Sequence, residues 1–123
     1  MDDVGSVITL WGIKTCDTMK KARHWLDQHA IAYALRDYKA GGADPARLAA
    51  WVDRLGSDAV LNRAGTTFRA LPEAERTDLD SGKAIRLMLA QPSMIRRPVL
   101  ERDDGLLLVG FKADTYAAAL LGG

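Results

Sequence analysis

Residues 7–26 have the sequence VITLWGIKTCDTMKKARHWL, in which a short apolar run, a turn and a polar stretch follow one another. The run from Val7 to Trp11 is short, contains β-branched residues and is bounded by Gly12, which is typical of a buried strand. Apolar residues after the turn recur at spacings of three and four, which predicts a helix over residues 17–29. Cys16, the only cysteine of the chain, therefore lies at the junction of a strand and a helix.

This position favours a reactive thiol. Backbone N–H groups at a helix start have no partner within the helix and stabilise negative charge, and the thiolate is the nucleophilic form of cysteine. Lys14 precedes Cys16 by two residues and Lys20 follows it by four, and nearby cations lower the pKa of a thiol. The alternative is an inert thiol, because a lone cysteine often packs as a small apolar residue.

The rest of the chain continues this pattern of strands and helices. Ile31, Tyr33 and Leu35 alternate along a second predicted strand, so the first three elements form a βαβ unit with parallel strands. Further elements are predicted in the order helix 45–55, short helices and turns within 57–92, a hairpin over 98–109 and a last helix at 114–121. This order predicts an α/β protein of the thioredoxin-like fold, with a mixed sheet of about four strands and a helical insertion.

Length and composition limit the remaining choices. A chain of 123 residues suits one domain, predicted at 7–121 with the insertion at about 57–92, after a flexible tail at 1–6. A net charge of +1 gives no support for direct nucleic-acid or membrane binding. The chain has no apolar stretch of transmembrane length, no signal-peptide pattern and no His/Cys cluster for a metal. We therefore expect a cytoplasmic monomer with no metal and no tightly bound cofactor.

Several stretches together resemble one protein family. The first is residues 12–22, GIKTCDTMKKA, and further stretches are residues 60–69, 92–100 and 110–112. These stretches resemble the bacterial ArsC/Spx family of arsenate reductase-like proteins, and most of all its YffB-like subgroup. The similarity extends over about residues 7–121.

The resemblance implies a thioredoxin-like fold and a set of site residues. Cys16 corresponds to the nucleophilic cysteine, and Arg97 precedes Pro98, which the family holds in a cis peptide bond. Arsenate reductases of this class bind the oxyanion with three arginines. The first of these positions corresponds to Asn62, with Arg63 beside it, and the third lies near Gly110, where this chain has no arginine. One clear match out of three favours thiol substrates over arsenate.

The resemblance implies a glutathione-dependent thiol/disulfide oxidoreductase. Cys16 attacks an oxidised thiol or an oxyanion, and glutathione resolves the adduct as a co-substrate. Arg97 orients the anion, and the predicted substrate-binding residues are Lys14, Thr15, Asn62, Arg63 and Pro98.

Two alternatives remain open at this point. One is an arsenate reductase that uses glutathione and glutaredoxin. The other, of a different class, is a non-catalytic regulator that binds RNA polymerase as Spx-type relatives do. Those relatives usually carry Cys-x-x-Cys, whereas the third residue after Cys16 is Met19. An intramolecular disulfide switch is therefore absent from this sequence.

Overall fold

The computed structural model describes residues 7–13 and 16–121, and within them the side chains of residues 39 and 40 are not considered. The chain divides into two compact units, one made of Met1–Asp37 with Arg97–Gly123 and the other of Tyr38–Arg96. The strands of the first unit are β1 Ile8–Gly12, β2 Ala34–Asp37, β3 Val99–Arg102 and β4 Leu107–Val109. Its helices are α1 Asp17–Gln28 and α8 Ala113–Tyr116, the latter continued by a π-helical turn over Ala117–Leu121. The single domain predicted at 7–121 contains parts of both compact units and stays a prediction.

The first unit contains a mixed sheet of four strands in the order β2-β1-β3-β4. β1 pairs in parallel with β2, starting at Thr9 opposite Ala34, and antiparallel with β3. β3 and β4 form an antiparallel hairpin through the Asp103–Gly105 turn, as the Asp-Gly pair predicts. This arrangement confirms the thioredoxin-like fold. β2 begins at Ala34 rather than at the predicted Ile31, because the N–H of Ile31 takes part in the hydrogen bonds that end α1.

One hydrophobic cluster joins α1 to the sheet. Alternate residues of β1 point to the same face, so Ile8 and Leu10 are buried together, and Leu100 of β3 lies opposite Leu10. The residues of α1 that pack against them recur at spacings of three and four, namely Met19, Ala22 and Leu26. Ile31, Tyr33 and Leu35 pack at the margin of the cluster, as their alternation predicts.

The end of α1 has the hydrogen bonds of a Schellman motif. The N–H of Ile31 donates to the carbonyl of Leu26 at 3.0 Å, and the N–H of Ala30 donates to that of Asp27 at 3.1 Å. Ala30 has a φ of 55°, in the left-handed region that glycine adopts without a steric cost. The sequence therefore carries a suboptimal residue at a position where helices favour glycine.

We expect Ala30→Gly to raise the free energy of unfolding by about 0.5–1 kcal/mol, since relief of the left-handed strain exceeds the entropy that glycine adds to the unfolded chain. Urea denaturation measures the change. Ala32→Gly is the matched control, because Ala32 is exposed and has no positive φ. That variant should lose stability, and an equal loss for Ala30→Gly would contradict the expectation.

The second unit is helical. Its helices are α2 Tyr38–Gly41, α3 Pro45–Leu55, α4 Ser57–Val60, α5 Thr66–Arg69, α6 Glu73–Arg76 and α7 Ser81–Ala90, followed by a 3₁₀ turn over Pro92–Met94. Asp44 caps α3 by accepting from the N–H groups of Ala46 and Arg47, which confirms the predicted start, and Gly56 ends the helix at a φ of 89°. The sequence predicts turns at residues 39–43 and 62–67, but residues 38–41 and 66–69 are helical. A single helical turn is too short to show a hydrophobic period, so the pattern does not reveal it. Among the described residues, no helix combines the length and the apolar character needed to cross a membrane.

Candidate active site

Cys16 is the residue that precedes the first turn of α1. Its backbone is extended, with φ −71° and ψ 136°, which is typical of a helix N-cap. Its N–H donates to the carbonyl of Ile13 at 3.0 Å, and its carbonyl accepts from the N–H of Lys20 at 3.0 Å. These two hydrogen bonds fix the backbone of Cys16 between β1 and α1, and the residue remains partly exposed. The predicted junction of a strand and a helix is confirmed.

The surroundings of Cys16 favour its thiolate. Partial burial raises the pKa of the thiol, but the backbone N–H of Met19, the side chain of Arg97 and the backbone N–H of Thr18 lower it, and the positive charge of Arg97 lowers it further. The net result is a pKa below the ordinary value of the thiol. The structure therefore places a partly exposed thiol in a site that stabilises its nucleophilic form.

The sheet brings Arg97 to this thiol. Val99 lies opposite Trp11 in the antiparallel pairing of β1 and β3, so the residues before Val99 lie at the end of β1 from which the Cys16 loop departs. Pro98 is buried, its carbonyl accepts from the N–H of Gly110 at 2.8 Å, and the Arg97–Pro98 peptide bond is cis. Cys16 and Arg97, which are 81 positions apart in the chain, therefore lie together at one end of the sheet.

Two further predicted binding residues belong to the other compact unit. Asn62 and Arg63 lie in the helical unit, where each has a local contact. Asn62 Oδ1 accepts from the N–H of Ala64 at 3.2 Å, and Arg63 Nη2 pairs with Asp58 Oδ1 at 2.6 Å on an exposed surface. These contacts close and brace the loop, and the binding role of both residues stays a prediction. Lys14 and Thr15 lie outside the described residues.

The sequence predicts that lysines near Cys16 supply the positive charge that lowers the pKa of its thiol. Among the described residues, the cation that lowers the pKa of the thiol is Arg97, and the amides of Thr18 and Met19 act with it. Lys14 lies outside the described residues, so its contribution stays a prediction. The amides had a sequence signal, because they follow a predicted N-cap by two and three residues. The contribution of Arg97 had no sequence signal apart from the family resemblance, because strand pairing is what brings Arg97 to the thiol. No group of three or more potential metal-binding side chains occurs in the described part of the chain.

Comparisons with known proteins show which family this chain resembles. Residues 11–119 match the sequence profile of the ArsC family. The chain belongs to the ArsC family. A protein of Haemophilus influenzae described as uncharacterized is 39% identical over 113 residues, covering 92% of this chain and 98% of that protein.

Solved structures include close relatives of this ArsC-family protein. The structure of a protein named YffB is 63% identical, with a TM-score of 0.89 over 93% of this chain and 99% of that one. An arsenate reductase (ArsC) related protein from Brucella melitensis is 54% identical, with a TM-score of 0.74 over 91% of this chain and 92% of that one. The global transcriptional regulator Spx of Listeria innocua is 28% identical in sequence over 88% of this chain and 82% of its own length. The family supports a thiol-dependent redox protein resembling arsenate reductases, with regulators among its relatives.

Proposed function

We propose that this protein is a glutathione-dependent thiol/disulfide oxidoreductase with Cys16 as its single nucleophile. The observation that carries the proposal is the convergence of Arg97 and two helix amides on a partly exposed thiol whose pKa is lowered. The thiolate is the form that attacks a disulfide, and a guanidinium beside it suits a substrate that carries carboxylates. Glutathione has two carboxylates, so it fits this electrostatic arrangement.

The chain's single cysteine sets the order of steps in the proposed reaction. The Cys16 thiolate attacks one sulfur of a disulfide, a new S–S bond forms, and the other half leaves as a thiolate that takes up a proton. A glutathione thiolate then attacks the substrate sulfur of the mixed disulfide, so a new S–S bond joins glutathione to the substrate half and the bond to Cys16 breaks. In this second step Cys16 leaves as a thiolate, and the electrons come from glutathione. An outside thiol is needed because the sequence contains no second cysteine.

We expect wild-type protein mixed with oxidised glutathione to gain the mass of one glutathione, because Cys16 forms the mixed disulfide. Cys16→Ser should gain none, since a hydroxyl does not attack a disulfide at neutral pH. Intact mass spectrometry measures both, and addition of reduced glutathione in excess should return the wild-type mass. Absence of the adduct on folded wild-type protein would remove the proposal.

Arsenate reduction is a second candidate, favoured by the 54% identity to a protein named as arsenate reductase related. The guanidinium of Arg97 beside the thiol suits an oxyanion as well as a carboxylate. Arsenate turnover with glutathione and glutaredoxin tests this candidate. Turnover that depends on Cys16, together with no reduction of a glutathione mixed disulfide on a peptide, would favour arsenate as the substrate.

A non-catalytic regulatory role is the rival from another class, and the relatives named global transcriptional regulator Spx support it. Position 19 is Met, so this chain lacks the Cys-x-x-Cys of the Spx-type switch. Pull-down of purified RNA polymerase tests the regulatory role. Retention of polymerase by both wild type and Cys16→Ser, without any adduct on wild type, would favour regulation over redox chemistry.

A further inference from the structure

Gly12 and Met19 are in unusually close contact beside Cys16. Gly12 is the last residue of β1, and Met19 lies in the first turn of α1. A methyl carbon on Gly12 would overlap Sδ of Met19 and would lie 2.8 Å from its Cε and 3.2 Å from its Cγ. The thioether therefore occupies the space that any other residue at position 12 would fill.

The Met19 side chain has little room to move away. It is fully buried, with 0% of its surface exposed, and it packs in the cluster that includes Leu10, Leu26 and Leu100. Protein interiors are close-packed, so displacing a buried thioether moves its own backbone or its neighbours. The contact is also tight at Cγ, 3.2 Å away, so a rotation of the terminal methyl alone does not relieve it.

The backbone of Met19 carries one of the groups that act on the thiol. Its N–H and that of Thr18 lower the pKa of Cys16, and the other contribution comes from Arg97, two residues before β3. Hydrogen bonds weaken steeply with distance and angle, so a small shift of this helical turn changes what the sulfur experiences. The side chain of Met19 anchors the same turn whose amides stabilise the thiolate.

We propose that Gly12 and Met19 are positioning residues for Cys16, because their contact fixes the first turn of α1 against the end of β1 with its amides facing the sulfur. This inference rests on the proposed role of Cys16 as a nucleophile. It gives Gly12 a function beyond close packing, since the absence of a side chain lets the thioether approach the strand.

Gly12→Ala tests the inference, with the thiol pKa as the readout. The ultraviolet absorbance of the thiolate, titrated against pH with Cys16→Ser as the blank, reports this pKa without any substrate. We expect Gly12→Ala to raise the thiol pKa by about half a unit to one unit. At a pH well below the pKa, this rise lowers the ionised fraction about three- to tenfold. The double variant Gly12→Ala/Met19→Ala should return most of the shift, because the new methyl group fills part of the space that the thioether leaves.

Leu26→Ala is the matched control, since Leu26 is a buried residue of α1 more than two turns from Cys16. It should lower stability and leave the thiol pKa unchanged. If Gly12→Ala does not fold, two variants of Met19 test the same contact. Met19→Ala should raise the thiol pKa, whereas Met19→Leu, which conserves the volume of the side chain, should not. A wild-type pKa in folded Gly12→Ala or, failing that, in Met19→Ala would overturn the inference.

The result is independent of the glutathione experiment. A pKa that rises in Gly12→Ala supports the positioning role even when no glutathione adduct forms, in which case the proposed function alone fails. An adduct on wild type with no pKa change in either variant supports the proposed function and removes the positioning role.

Discussion

Arg97→Gln should raise the pKa of the Cys16 thiol and slow its reaction with oxidised glutathione by about tenfold or more. Arg97 lowers this pKa both through its side-chain hydrogen bond and through its charge. At a pH well below the pKa, a rise of about one unit reduces the thiolate about tenfold, while the higher basicity makes the remaining thiolate about threefold more reactive. The net loss from ionisation alone is therefore about threefold.

Two reagents separate the roles of Arg97. An uncharged alkylating agent reports thiolate ionisation alone and should show the smaller loss. Oxidised glutathione carries carboxylates, so its rate should fall further if the guanidinium also binds the substrate. Stopped-flow or quenched mass spectrometry at several pH values gives both rates, and the pH midpoint of alkylation gives the thiol pKa.

Arg96→Gln is the matched control, because it removes the same charge from the preceding, exposed residue. It should leave both rates near those of wild type. Arg97→Lys retains the charge without the planar fork, and should recover the alkylation rate better than the glutathione rate. Equal losses for Arg96→Gln and Arg97→Gln would show a general field effect and contradict a specific role for Arg97.

Replacements of Tyr116 should change stability in opposite directions. Its ring is fully buried and meets Trp25 and Phe111 edge-on, with centroid distances of 5.6 and 4.7 Å. Tyr116→Ala should cost about 3–5 kcal/mol through the lost contacts and the cavity. The hydroxyl is buried with no hydrogen-bond partner in the part of the chain that the structure describes. Tyr116→Phe should therefore raise the free energy of unfolding by about 1–2 kcal/mol, because it removes an unsatisfied polar group.

Tyr33→Phe is the control for Tyr116→Phe, because the Tyr33 hydroxyl accepts a hydrogen bond from Arg23 Nε at 3.3 Å. It should lower the free energy of unfolding in urea, opposite in sign to Tyr116→Phe. A loss for Tyr116→Phe as large as that for Tyr33→Phe would contradict the expectation.

Tyr116 also predicts a pH dependence. Burial raises the pKa of Tyr116 above its ordinary value. The folded state then holds the proton of Tyr116 more tightly than the unfolded state does. The contribution of this proton to the free energy of unfolding is therefore fully present below a pH of about 10, and it is lost as the pH rises further. Thermal unfolding across this range should show a smaller alkaline loss in Tyr116→Phe than in wild type.

Local sequence patterns predicted much of the fold because they correspond to local physical constraints. The spacing of Met19, Ala22 and Leu26 gave α1, and Asp44 with Pro45 gave the start of α3. The Asp-Gly pair gave the hairpin between β3 and β4. Single helical turns such as Tyr38–Gly41 were missed, since they are too short to show a period.

The sequence by itself determined that Cys16 follows a strand, precedes a helix and has no second thiol in the chain. These features depend on neighbouring residues, so local patterns were sufficient for them. Only the tertiary structure decided which groups act on the sulfur. The pairing of Trp11 with Val99 brings Arg97 to the thiol, and the contact of Gly12 with Met19 sets the place of the helix amides. Both contacts depend on strand register and side-chain packing. Local sequence patterns do not predict such contacts, because they are made by residues that are not neighbours in the chain.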